Sequence, residues 1–328
     1  MNGLTESCEG NVKIPIKLKT KQIPISLKTP IQSLKIDDDE EENKVVETTI
    51  TIPIQSLKID ADGEENKVVS PTTTITITFG DQAENHHGMQ KLGQLADAGF
   101  SIEDLMKGKG LFESKGYICE LIDLNSALER TNIKGAPASL LIVRGGLQCL
   151  LMDNNFTLDD MFQEQINLEW DSKALMYKKV VNKKARHNLC YGEDNQEPDY
   201  ESGKGRIVAF SDLPCTNTIR VKLSHYLGDK AKDLMAEGNL YYDISKCGIG
   251  FHGDAERKKV IAMRLGASLP LHYQWFQQSK PIGKRIELIL HHGDLYVMSE
   301  KATGHDWKLR KIPTLRHAAG CQQYLTIK

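Results

Sequence analysis

The segment Ile249-Gly250-Phe251-His252-Gly253-Asp254-Ala255-Glu256 places a histidine and an aspartate two residues apart. In extended backbone, residues i and i+2 face the same side. His252 and Asp254 can therefore bring an imidazole nitrogen and a carboxylate oxygen to one point from a single short stretch. One more histidine would complete a facial site of two imidazoles and one carboxylate, the ligand set that leaves three positions open on an iron ion. A His-x-Asp pair is not specific by itself, because the chain holds 10 His and 44 Asp+Glu, and a second pair occurs at His292-Gly293-Asp294. That second pair sits in Leu290-His-His-Gly-Asp-Leu-Tyr-Val-Met298 and reads as a glycine turn ahead of a strand.

The elements that would position the first pair are strands. After Asn239 the chain breaks into short β-rich runs at 240–244, 248–252, 259–265, 272–276, 285–290, 293–298, 314–317 and 324–327, punctuated by Gly and Pro. This is the pattern of an all-β sandwich or jelly roll. The missing histidine must come from a distant strand. His305 lies in Thr303-Gly304-His305-Asp306-Trp307, which reads as a loop. His317 lies in the apolar run Thr314-Leu-Arg-His-Ala-Ala-Gly320, whose small residues leave room beside an ion. His317 is the preferred third ligand and His305 the alternative.

Upstream the organisation changes. Residues 30–46 recur almost unchanged as 53–69, each copy carrying an acidic run. Two copies split by proline cannot stack into a solenoid, so residues 1–74 are expected to be a disordered repeat tail, with a protein partner as its one functional use. Residues 75–168 read as a small α/β module. It opens on the Thr-Ile alternation of 72–79, starts a helix at the capping box Ser101-Ile-Glu-Asp104, adds a strand at 147–152, and closes with a helix at 158–165. The adjacent His86 and His87 read as a turn.

The bulk numbers limit the function classes. The 328 residues carry 42 Lys+Arg against 44 Asp+Glu, a net charge of −2, so any nucleic-acid footprint must be local. No run of about 18 apolar residues exists, and there is no signal-peptide core. The seven Cys form no CxxC pair, which fits reduced thiols and an intracellular, cytoplasmic or nuclear setting. One local footprint is present. Lys178, Lys179, Lys183, Lys184, Arg186 and His187 cluster between Tyr177 and Tyr191, a composition that can hold phosphates beside a stacking ring. Trp275 and Trp307 are candidates for a cavity wall.

The run Tyr242-Asp243-x5-Ile249-Gly250-x-His252-x-Asp254-x-Glu256 resembles the core motif of the AlkB-like 2-oxoglutarate- and Fe(II)-dependent dioxygenases. Residues 261–267 resemble the strand after the first two ligands, and 293–299 the strand before the second histidine. Residues 324–328 (Tyr-Leu-Thr-Ile-Lys) resemble the closing strand, and Arg186-x4-Tyr191-Gly192 the segment before the nucleotide lid.

The resemblance implies an α+β chain. A C-terminal double-stranded β-helix (jelly roll) with flanking helices would span 169–328, behind the small module and the tail. It implies Fe(II) held by His252, Asp254 and a late histidine, with 2-oxoglutarate and O2 as cosubstrates, and oxidative hydroxylation or demethylation of a nucleic-acid base. Tyr242 would donate to 2-oxoglutarate, and Arg186 and Tyr191 would bind the substrate. The family's two arginines, six apart on the last strand, are not matched, since positions 322 and 328 are Gln and Lys. The carboxylate anchor would be Lys328 with His317 as ligand, or Arg316 with His305. That departure leaves room for a jelly-roll binding or scaffold protein, and for a hydroxylase of protein side chains.

Overall fold

The computed structural model describes residues 72–327; the repeat tail up to residue 71 and the expected anchor Lys328 lie outside the described residues. The chain is mixed α+β and mostly strand. In order, the strands are β1 Thr74–Gly80, β2 Gln82–Glu84, β3 Lys91–Gly93, β4 Cys119–Asp123, β5 Ser139–Val143, β6 Lys173–Met176, β7 Lys179–Asn182, β8 His187–Gly192, β9 Ile207–Ala209, β10 Met235–Tyr241, β11 Gly248–His252, β12 Val260–Gly266, β13 Leu269–Gln277, β14 Lys280–Leu290, β15 Leu295–Met298 and β16 Thr314–Gly320. The larger sheet has eight strands in the order β4-β5-β15-β12-β1-β10-β8-β9, and the smaller has four, β11-β16-β13-β14. Two ribbons, β2-β3 and β6-β7, stand apart.

Alternation along β1 explains the layering. Ile75, Ile77 and Phe79 are fully buried among α1 Ile102–Ser114, α2 Gly146–Leu151, α3 Leu158–Ile166 and α4 Pro214–Leu227. The intervening threonines point the other way, toward the smaller sheet, and Thr76 and Thr78 line the space between the sheets. A second core, built from both sheets, fills the rest of that interlayer with side chains such as Ala262, Tyr296, Leu271, Tyr273, Trp275 and Leu315. The helices start where the sequence supplies caps. Ser101 and Asp104 form a complete capping box, as do Thr157 and Asp160, while Pro214 opens α4.

Residues 75–168 are not a separate module. β1 lies between β10 and β12 in the middle of the large sheet, in register with both (Thr76 opposite Asn239 and Arg264). β5 pairs with β15. The three inward side chains of β1, Ile75, Ile77 and Phe79, contribute about 2 kcal/mol each, a sum comparable with the whole net stability of a domain, about 5–15 kcal/mol. Two local expectations also change. Residues 147–152 lie in the helix α2 and the turn after it rather than in a strand, because Gly145 adopts φ 63° and starts the helix. Residues 324–327 give no closing strand; Gln322–Leu325 is the short helix α5.

Candidate metal centre

Where the polar half of the large sheet faces β11 and β16, a cavity of about 400 Å³ opens. His252 ends β11, and His317 sits directly opposite it on β16, beside an irregularity in the pairing that begins at Ile249. Their ring centroids are 4.5 Å apart. Asp254 follows in the loop, where its backbone N–H donates to Thr303 O at 2.9 Å. The intervening Gly253 is required by space, since a Cβ there would stand 2.1 Å from Gly304 O.

His252 Nε2 lies 3.5 Å, and His317 Nε2 3.6 Å, from the same oxygen, Asp254 Oδ1. These separations are too long for strong hydrogen bonds and suit three atoms arranged around one ion. All three ligand atoms lie within 4.8 Å of one another. His252 Nδ1 is 2.8 Å from Gly250 O and 3.0 Å from His317 O. Carbonyls only accept, so Nδ1 carries the hydrogen and Nε2 turns a lone pair toward Asp254. Burial, reinforced by the neighbouring His317, pushes the His252 pKa down to about 3, so the ring is neutral. Burial alone would raise the Asp254 pKa, but His317 first, then Arg257 and His252, outweigh it and hold the carboxyl well below the usual range.

Arg257 backs this carboxylate. Its guanidinium is buried, donates from Nη2 to Glu237 Oε2 at 2.5 Å and Glu256 Oε1 at 2.7 Å, and places Nε 4.0 Å from Asp254 Oδ2. One aspartate oxygen thus faces a fixed positive charge, which leaves Oδ1 for the two histidines. Two imidazole nitrogens and one ionised oxygen, converging beside an open cavity, form a donor set that suits a divalent transition metal with free positions.

Of the candidates for the third ligand, the structure brings His317 to the site. His305 lines a different cavity with Phe100, Lys301 and Asp306. Arg316 cannot serve as an anchor here, because strand alternation turns it to the opposite face of β16, where its guanidinium lies 4.1 Å over the Phe276 ring. Tyr242 is also misplaced. It is 37 % exposed, and its hydroxyl donates to Lys184 O, while its neighbour Tyr241 faces the cavity. Tyr191 is fully buried with its hydroxyl donating to Gln165 Oε1, so it offers no stacking surface. Arg186 does line the cavity and donates from Nε to Asn239 Oδ1 at 2.5 Å. Trp307 lines it as well, whereas Trp275 is core, donating to Leu124 O.

The turn expected at His86 and His87 also borders the cavity. Beside it, Lys183 donates to Asn85 Oδ1 at 2.7 Å. Burial pushes the Lys183 ammonium down to about 8, against the attraction of Asp171. The cavity residues overlooked in the sequence, Thr76, Asn239 and Arg264, form one cross-strand row. Their signal was the Thr face of the Thr-Ile alternation.

No family model matches the chain. Over 251 residues it is 50 % identical to "Uncharacterized protein R156" of Acanthamoeba polyphaga mimivirus, an overlap covering 76 % of this chain and 96 % of the relative. At that identity and coverage, the chain belongs to the same family as the mimivirus protein.

Proposed function

We propose that this protein is an Fe(II)- and 2-oxoglutarate-dependent oxygenase of the AlkB-like kind, acting on a base of a nucleic acid. The observation that carries the reading is the convergence of His252 Nε2 and His317 Nε2 on the ionised Asp254 Oδ1 at 3.5 and 3.6 Å. The strand path supports it. From β10 to β16 the chain passes between the large and small sheets, and the place between β10 and β12 is taken by β1. On this reading the double-stranded β-helix has its eighth strand supplied by residues Thr74–Gly80, not by the C-terminal segment.

When bound, the metal with O2 and 2-oxoglutarate supplies oxidation of a substrate C–H bond coupled to cosubstrate decarboxylation. The chain does the rest. His252 Nδ1–H holds its ring against two carbonyls, and Arg257 orients Asp254. The interlayer core excludes water on one side of the cavity. On the other, Arg186, His86, His87 and Lys308 put nitrogen donors at its border beside the Trp307 ring. That combination fits a phosphate backbone with one base turned inward.

The test is succinate formation by the Fe(II)-loaded full chain with methylated single-stranded DNA, RNA and peptides offered in turn. The expected result is turnover with a nucleic acid, abolished in His317→Ala and retained in His305→Ala. Undiminished turnover in His317→Ala refutes the metal assignment, and turnover on peptides alone refutes the substrate class. The helix at Gln322–Leu325, in place of a closing strand, favours a second reading as a binding protein without cosubstrate. A metal-bound chain that shows no affinity for 2-oxoglutarate would establish that alternative.

A further inference from the structure

Arg264 lies on β12, next to Thr76 of β1 and in the same row as Asn239 of β10, on the face that lines the cavity. It is 1 % exposed. Its Nη1 donates to the Thr76 hydroxyl at 2.5 Å, and its Nε is buried without a partner. Its guanidinium carbon stands 5.9 Å from the Tyr241 ring centroid. Among the described residues no carboxylate forms an ion pair with it, because the acids nearby are taken. Glu237 pairs with Arg257. Asp294 accepts from Arg144, from Gly145 N–H and from His291 N–H.

A guanidinium buried without a counter-ion is strongly unfavourable. One that also borders a cavity is a receptor for an anion, and its planar fork matches a carboxylate. Arg257, the other fully buried arginine on this side of the sheet, already has two carboxylates. Arg186 is only partly buried and is engaged by Asn239. Of these three arginines, Arg264 alone combines near-complete burial, a side-chain nitrogen without a hydrogen-bond partner and a place in the cavity wall.

We infer that Arg264 anchors the distal carboxylate of the 2-oxo dicarboxylate cosubstrate, the role that neither Arg316 nor Tyr242 can fill from where the strands put them. The inference rests on the oxygenase reading for the identity of the ligand. The carboxylate site itself rests on the unpaired guanidinium.

The experiment is calorimetric binding to the full chain loaded with Mn(II), which accepts the same donors. 2-Oxoglutarate is compared with pyruvate, which lacks the distal carboxylate. Arg264→Met should weaken 2-oxoglutarate binding by roughly 10- to 100-fold, with the affinities for Mn(II) and pyruvate held within about twofold of wild type. Arg264→Gln, which keeps a donor for Thr76 but no charge, should show the same loss and serves if the Met variant does not fold. Unchanged 2-oxoglutarate affinity in a folded variant overturns the anchor and leaves the metal centre standing. The metal-free chain is also melted with millimolar glutarate. A rise in Tm for wild type but not for the variants supports the carboxylate site even if Mn(II) fails to bind, an outcome that would sink the oxygenase reading alone. Wild type that binds neither 2-oxoglutarate nor glutarate overturns the inference.

Discussion

The Nδ1 of His252 donates to the backbone carbonyl of His317, 3.0 Å away and 65 residues later in the chain. The strand that supplies one nitrogen ligand therefore fixes the ring of the other. Pairing of β11 with β16 and assembly of the donor set are one event, so disturbance of either strand reaches both histidines.

His317→Ala should lower Mn(II) affinity by about 10- to 100-fold or more, the range of losses seen when support for a metal is removed. His305→Ala should leave it unchanged, since His305 borders another cavity. Calorimetry on the two variants separates them, and equal losses would mean that both histidines act through folding.

Gly253→Ala forces a methyl to within 2.1 Å of Gly304 O, so the loop carrying Asp254 must move. Overpacking of this kind costs about 1–3 kcal/mol. The expected result is a lower urea midpoint together with weaker Mn(II) binding. A variant as stable as wild type, with intact metal affinity, would show that the Gly253–Gly304 contact relaxes freely.

Arg257→Met leaves Glu237 and Glu256 without their shared cation. Removing one partner of a buried ionic network costs about 3–5 kcal/mol. Denaturant titration should register most of that loss. Combining the change with Glu237→Gln should recover part of it, because one stranded charge is gone.

Lys183 gives a pH dependence with a definite sign. Its folded pKa of about 8 lies below the ordinary value of 10.5 because of burial. Between those values the unfolded chain binds more protons than the folded one, so this group makes stability rise as pH rises from about 8 toward 10.5. Urea midpoints at pH 7.5 and 9.5 should therefore differ less favourably in Lys183→Met than in wild type. An identical pH slope in the two proteins would count against the buried ammonium.

Tyr191→Phe removes a buried hydroxyl bonded to Gln165. It should cost about 1–2 kcal/mol of stability without changing the affinity for single-stranded DNA. A loss of DNA affinity at full stability would restore the stacking role that its burial denies.

The sequence by itself determined whatever depends on local period and turn chemistry. His252 and Asp254 converge because they are two apart at a strand end. His292-Gly293-Asp294 is a turn because Gly293 adopts φ 85°, and α1 and α3 begin at their capping boxes. Tertiary structure decided what depends on partners distant in the chain. His317 and His305 are both late histidines in plausible contexts, and only the pairing of β11 with β16 distinguishes them. A shift of one residue along a strand reverses the face. That is why Arg316 lies outside beside His317 inside, and why Tyr241 takes the cavity side that Tyr242 was expected to hold. β1 reads as the first strand of a separate module, yet its hydrogen-bonding edges are satisfied only between β10 and β12, far along the chain. The same insertion sets Thr76 beside Arg264, a juxtaposition of residues 188 positions apart that no local pattern encodes.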